Sequence, residues 1–140
     1  MVVHAAVSAA PVIRIVAAVI RDSAGRTLLV RKHGAAVFQQ PGGKRDPADE
    51  DDLATLAREL REELGCELVR HSARLLCRAS APAANERGYV VEAEVYEVAV
   101  DGEIRAQAEI AELCWIDPAA PGDVPVARLS REHILPKLGR

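Results

Sequence analysis

Residues 42–66, GGKRDPADEDDLATLARELREELGC, set the tightest limits on what this chain can fold into. The stretch opens on a Gly-Gly pair and an acidic loop punctuated by Pro47, then turns helical until Gly65 stops it. Leu53, Leu56, Ala57, Leu60 and Leu64 recur at helical spacing and form an apolar stripe that must face a core. Glu59, Glu62 and Glu63 stand at i, i+3 and i+4 and occupy a separate arc roughly 120° away. Like charges at that spacing destabilise an isolated helix by a few tenths of a kcal/mol, so something has to offset their repulsion. A divalent cation does so, and hard oxygen ligands select magnesium, calcium or manganese over zinc. Gly42 and Gly43 let the backbone approach a ligand closely and expose its amide and carbonyl groups. Carboxylates, metal and open backbone together indicate phosphate chemistry. The plainer reading is a solvated glutamate face laced with weak ion pairs. The Gly-Gly pair, the acidic loop and the closing Arg-Glu-Leu-x-Glu-Glu-Leu-Gly weigh against it.

That combination resembles the Nudix box, G-x5-E-x7-R-E-U-x-E-E-x-G-U with U a bulky apolar residue. Arg58, Glu59, Leu60, Glu62, Glu63 and Gly65 match its second half without a gap, and Cys66 fills the last apolar slot. The first half carries one extra residue between Pro47 and Leu53. Counted from Gly43 the box glutamate falls on Asp49; counted back from Arg58 it falls on Glu50. Loops absorb single insertions more easily than helices, so residues 43–66 read as a box with a lengthened loop. The likeness extends to Phe38, Gln39, Gln40 and Pro41 before the box and to Trp115, Ile116 and Asp117 after it.

The resemblance implies a Nudix-type α/β/α sandwich around a mixed sheet. It also implies metal-assisted hydrolysis of a diphosphate linkage in a nucleoside diphosphate joined to another moiety. A nucleoside triphosphate, oxidised or not, or an ADP-ribose-like compound fits that description. On this scheme Glu59, Glu62 and Glu63, with the Gly43 carbonyl, hold magnesium or manganese. Arg58, Glu59 and Glu62 form the catalytic set, Glu59 as ligand or base and Arg58 orienting the glutamates through charge-assisted hydrogen bonds. A metal-bound water of lowered pKa supplies hydroxide near neutral pH. Gly42, Gly43, Lys44 and Arg31 are candidates for substrate contact. Many members complete the site with a further acid from a later loop. Glu109 and Glu112 are the candidates here, with Glu86 behind them, and Asp49 and Glu50 within the box. Many members also form a homodimer. Two other readings stand beside the hydrolase: a Nudix-like module that binds a nucleotide or sugar phosphate without turnover, and a scaffold whose glutamate cluster is only surface.

The 140 residues suit one domain with a core of its own. Apolar residues make up 49% and charged residues 28%, an ordinary balance for a soluble globular chain. A net charge of −3 and aromatics at 3% exclude a basic, ring-studded surface for nucleic acid polymers. The expected partner is a small nucleotide-type molecule. No apolar run reaches the roughly 18 residues of a membrane span. Cys66, Cys77 and Cys114 are widely spaced and form no CxxC pair, which reads as reduced cysteines in a cytoplasmic protein. Residues 1–11, His4 included, lack the basic start of a signal peptide and are expected to be a flexible lead before a domain over residues 12–140.

Along that domain, residues 12–20 and 27–31 read as two strands forming a hairpin through the turn at 22–25, with Arg14, Arg31, Lys32 and His33 at its ends. Residues 37–41 read as a short strand delivering the Gly-Gly loop, with Phe38 in the core. Further strands are expected over 67–79, 89–100 and 113–117, with a loop at 80–88. Glu92 and Glu94 share a sheet face and read as solvated strand glutamates. A final helix is expected with Ser130 as its N-cap.

Overall fold

The computed structural model describes residues 10–139, so the expected flexible lead, apart from Ala10 and Pro11, lies outside the described residues. The elements in chain order are β1 (Val12–Val19), β2 (Thr27–Lys32), β3 (Gly42–Lys44), α1 (Asp52–Leu64), β4 (Glu67–Pro82), β5 (Val90–Asp101) and β6 (Ile110–Ile116). A terminal helix follows, π-helical over Leu129–Ile134 and α-helical over Leu135–Leu138.

β1 is the spine. Its second half is buried on both faces: Ala17 and Val19 enter one hydrophobic cluster, and Val16 and Ala18, with Ile20 just past the strand, the other. A strand buried on both faces needs neighbours on both edges to satisfy its backbone. It finds β3, antiparallel, on one edge and β5, parallel, on the other. β4 pairs antiparallel with β5, giving the order β3-β1-β5-β4, while β2 and β6 form a separate antiparallel pair. Leu56, Leu60 and Leu64 of α1 pack on one side of this mixed sheet. Leu129, Ile134, Leu135 and Leu138 of the terminal helix pack on the other. The layers are those of an α/β/α sandwich, as the sequence led us to expect.

Three local expectations are corrected. β1 and β2 do not form a hairpin ladder. They share the Arg21–Thr27 bridge and a bond from the Leu28 N–H to the Ile20 carbonyl (3.0 Å), after which β2 leaves to pair with β6. The reason is that both edges of β1 are already taken. The strand expected over 37–41 lies later, at Gly42–Lys44. Phe38 and Gln39 make single bridges to Val126 and Val30, and Pro41 has no N–H to extend a ladder. Ser130 does not cap the terminal helix: the cap position is Arg128, without a side-chain bond, and Ser130 is buried inside the first turn.

α1 is closed at both ends by side-chain and backbone chemistry. Asp51 accepts the Ala54 N–H at 2.8 Å as N-cap. Gly65, left-handed at φ 70, returns its N–H to the Arg61 carbonyl at 3.1 Å. Glu92 and Glu94 pair with Arg14 and Arg78 across the strands. Among the described residues no helix is long and apolar enough to cross a membrane. Leu60 is fully buried at the contact between α1 and the sheet. Leu60→Ala is expected to lower unfolding free energy by about 2–5 kcal/mol, read as a lower urea midpoint at unchanged m. Leu53→Ala, at the half-buried start of the same stripe, is expected to lose clearly less.

Candidate active site

β3 lies against β1 with Val16 opposite Gly43 and Ala17 opposite Gly42. At Gly42, φ is 141 and a Cβ would fall 2.1 Å from the Val16 carbonyl oxygen, so no other residue fits. At Gly43 a Cβ would stand 2.4 Å from the carboxylate carbon of Glu59, which therefore lies directly over the glycine. One turn of α1 further on, Glu63 is 2% exposed and accepts the Gly42 N–H at 3.2 Å. Burial pushes its pKa up to about 8, outweighing that N–H, and the charge of Glu59 pushes the same way. Burial raises Glu59 too, against the opposing pull of Arg58 and with added repulsion from Glu62 and Glu109. Glu62 points outward, with its side chain 56% exposed and 3.8 Å from Arg58 Nη1. The three glutamates of the helix thus occupy three depths: Glu63 inside, Glu59 at the boundary, Glu62 in solvent.

Arg58 ties the loop to this cluster. Its Nη1 donates to Glu59 Oε2 at 2.9 Å, and its Nη2 to Asp49 Oδ2 at 2.9 Å and to the Lys44 carbonyl at 3.2 Å. Asp49 also accepts the Asp46 N–H at 2.9 Å and the Thr55 hydroxyl at 2.7 Å. Arg58 first, and these donors after it, hold the Asp49 carboxyl well below the usual carboxylate range. Glu50 is exposed. The acid that meets the arginine is therefore the one counted forward from Gly43. The extra residue falls between it and Arg58, where Asp51 caps the helix.

These groups border a cleft of about 340 Å³. Glu59, Gly42, Gly43, Lys32, Lys44 and Glu109 are among the residues that line it. Lys32 Nζ stands 3.7 Å from Glu109 Oε1, and Lys44 Nζ stands 4.0 Å from Glu86 Oε2. Arg31 and Glu112 are not among the lining residues. They pair with each other at 2.9 Å across β2 and β6, and Arg31 also donates to the Ala35 carbonyl. The cleft lysine on β2 is Lys32, the neighbour of Arg31. Successive strand residues point to opposite faces, and the sequence carries no sign of which face of β2 turns to the cleft.

Among the described residues no three acidic, histidine or cysteine side chains converge into a ready metal cage. Magnesium asks for less: one or two carboxylates, with substrate oxygens and waters filling the rest. Glu63 and Glu59 fit that demand. They are neighbouring carboxylates whose burial disfavours charge, and a cation would let both ionise.

The Glu63 shift fixes the sign of a pH effect. Unfolded, this carboxyl loses its proton near the ordinary glutamate value of 4.5; folded and metal-free, it keeps it to about 8. Across that window the folded chain binds more protons, so stability falls as pH rises. In EDTA the ionisation of Glu63 is expected to lower Tm by about 5–10 °C between pH 5 and pH 8. Glu63→Gln, neutral throughout, is expected to flatten the profile, and magnesium to restore Tm at the alkaline end in the parent protein only. Melts at three pH values check this, and a profile that Glu63→Gln leaves unchanged contradicts it.

A model of the NUDIX domain matches residues 11–138. Among solved structures, the MutT NUDIX hydrolase from Burkholderia pseudomallei is 28% identical, with a TM-score of 0.72 over 90% of this chain and 97% of that one. The ORF135 protein of E. coli is also 28% identical, with a TM-score of 0.70 over 92% of this chain and 87% of that one. The MutT protein from Methanosarcina mazei Go1, at 24% identity and a TM-score of 0.73 over 92% and 94% of the two chains, shares the fold. No curated protein matches the chain by sequence. With the domain match spanning nearly the whole chain, the protein belongs to the NUDIX family and is a pyrophosphohydrolase.

Proposed function

We propose that this enzyme hydrolyses the diphosphate linkage of a nucleoside diphosphate joined to another moiety, with magnesium or manganese as cofactor. A nucleoside triphosphate, oxidised or not, or an ADP-ribose-like compound is the substrate class. The observation that carries the proposal is the Glu59 carboxylate lying over Gly43, beside buried Glu63, on the cleft that Lys32 and Lys44 also line.

Glu59 and Glu63, with the Gly43 carbonyl and Glu62 at the rim, are the residues that hold the metal. When bound, the ion neutralises phosphate oxygens and lowers the pKa of a coordinated water. Lys32 and Lys44 bring positive charge to the diphosphate, and the side-chain-free backbone at Gly42 and Gly43 lets it approach. Arg58 holds Glu59 in place, and Asp49 holds Arg58, so these two act as positioning residues. Among the later acids, Glu109 shares the cleft with Glu59 and takes the role of further ligand or proton acceptor. The three free cysteines support a reducing compartment, the cytoplasm, and a homodimer is the assembly to look for by size-exclusion chromatography.

A panel of nucleoside triphosphates, ADP-ribose and dinucleoside polyphosphates, assayed with and without magnesium, tests the proposal. Metal-dependent turnover is expected, with Glu59→Gln and Glu63→Gln each losing on the order of 10²-fold or more in kcat/KM. No turnover of any panel member would sink it. Asp49→Ala and Arg58→Ala are each expected to lower kcat. The double variant should lose little more than the worse single one, because the two residues work as one unit.

A further inference from the structure

An α-helix leaves its last four carbonyls without partners inside the helix. In α1 these belong to Arg61, Glu62, Glu63 and Leu64, and Glu63 is one of the acids of the site. The segment ahead of β6 closes them. The Arg105 N–H donates to the Leu64 carbonyl at 3.0 Å, and the Gln107 N–H donates to the Glu63 carbonyl at 3.1 Å. The Gln107 side chain reaches the other two: its Nε2 donates to the Arg61 carbonyl at 2.9 Å and to the Glu62 carbonyl at 3.1 Å. Both partners are acceptors, so they fix the amide with its nitrogen towards the helix. Gly65 makes this approach possible, because a Cβ there would stand 2.9 Å from Gln107 Oε1. The glycine that stops the helix thus also seats the glutamine that caps it.

Directly after the glutamine the backbone is strained. Ala108 has φ 53 and is the single residue other than glycine with a positive φ among the described residues. It holds the first central position of a turn that the Ile110 N–H closes on the Gln107 carbonyl at 3.0 Å. Positive φ at that position favours glycine, so the contacts around it must hold an alanine there. The second central residue is Glu109, which lines the cleft together with Glu59. Its side chain is 59% exposed and pairs with Lys32 Nζ at 3.7 Å. A glutamate held so loosely by its side chain takes its place from its backbone. That backbone is tied on two sides: Gln107 is bonded to α1, and the Glu109 carbonyl accepts the His33 N–H at 2.9 Å, just past β2. Behind burial, the charge of Glu109 adds to the upward push on the pKa of both Glu59 and Glu63.

We propose that Gln107 is a positioning residue for the hydrolysis. It clamps the turn at Ala108 onto the C-terminal end of α1 and so sets the Glu109 carboxylate at a fixed place relative to Glu59 and Glu63. The placement of all three acids then depends on one helix. A glutamate on an unclamped turn samples many positions, and a misplacement of about 1 Å can cost as much as about 10²-fold in rate. The strain at Ala108 belongs to this arrangement, since a relaxed alanine would turn the chain another way. This inference rests on the role given above to Glu109 as further ligand or proton acceptor, and it adds which residues put that acid in place.

The test compares Gln107→Ala, Glu109→Gln and the double variant in magnesium-dependent turnover of the best substrate from the panel above. Gln107→Ala is expected to lower kcat about tenfold with KM within about twofold. The double variant should stay within about twofold of Glu109→Gln alone, because the glutamine acts through the glutamate. Losses that multiply in the double variant overturn the proposal, as does a parental kcat in Gln107→Ala. Where Gln107→Ala does not fold, Ala108→Gly takes its place. Glycine adopts φ 53 freely, so Tm should hold while the loosened turn lowers kcat several-fold. A parental kcat in that variant then overturns the proposal. Amide exchange followed by NMR in EDTA reads the clamp without metal or substrate. The His33 amide, bonded to the Glu109 carbonyl, is expected to exchange about tenfold faster in the variant, and an unchanged rate overturns the clamp. Glu109→Gln with parental kcat removes the role given to Glu109, and this inference with it, while leaving the metal-dependent reaction standing. No turnover by the parent protein sinks the proposed reaction, and the His33 exchange rate then decides on the clamp alone.

Discussion

A carboxylate sealed inside a domain must keep its proton, find a partner or take a cation. Glu63 meets that constraint with one backbone N–H, from Gly42, and with Glu59 alongside it. The surrounding structure serves to keep the pair in place. Gly42 lets β3 press against β1, Gly43 leaves room for the Glu59 carboxylate, and Leu56, Leu60 and Leu64 fasten the helix that carries both acids. Arg58 then spans from Glu59 to the loop, where Asp49 completes its hydrogen bonding. The same helix stripe that builds the core therefore sets the depth of each acid, and packing and chemistry cannot be altered separately.

Much of this was legible in the residues alone. The i, i+3, i+4 spacing of Glu59, Glu62 and Glu63 and the leucine stripe are local, periodic features, and they placed α1 and its two faces correctly. Gly65 as a helix stop is a local feature of the same kind. The sandwich was legible through resemblance to a family, since periodicity does not specify which strands pair. What escaped was set by tertiary geometry. β1 and β2 carry every local mark of a hairpin, yet β5 and β3 occupy both edges of β1, and a parallel partner some 80 residues away leaves no trace in a short window. Arg31 and Lys32 are adjacent cations that one residue of strand parity sends to different environments, the first to Glu112 and the second to the cleft.

The departure from the family's spacing has a physical resolution. An aspartate is one methylene shorter than the glutamate of the pattern, and the loop gains one residue before the arginine. Asp49 nevertheless reaches Arg58, while the added length sits beside Asp51, whose side chain caps the helix. The lengthened loop keeps the ion pair that matters and uses the new residue position to terminate backbone hydrogen bonding cleanly.

The cleft is assembled from segments far apart in the chain. Glu59, Gly42, Gly43 and Lys44 come from one short stretch, but the lining also needs Lys32, Glu109 and, further on, Ala127, Leu129 and Ser130. As the chain leaves the ribosome, the acidic helix and the Gly-Gly strand exist well before the recess they border. β5, the parallel neighbour that completes the spine, follows them, and the segment that carries Ala127, Leu129 and Ser130 follows β6. A nascent chain thus holds clustered carboxylates with no enclosed site to use them in. The cleft is bounded only where the segment around Phe38 and the Gly-Gly strand meets the residues that open the terminal helix, so its enclosure depends on contacts between segments far apart in the chain.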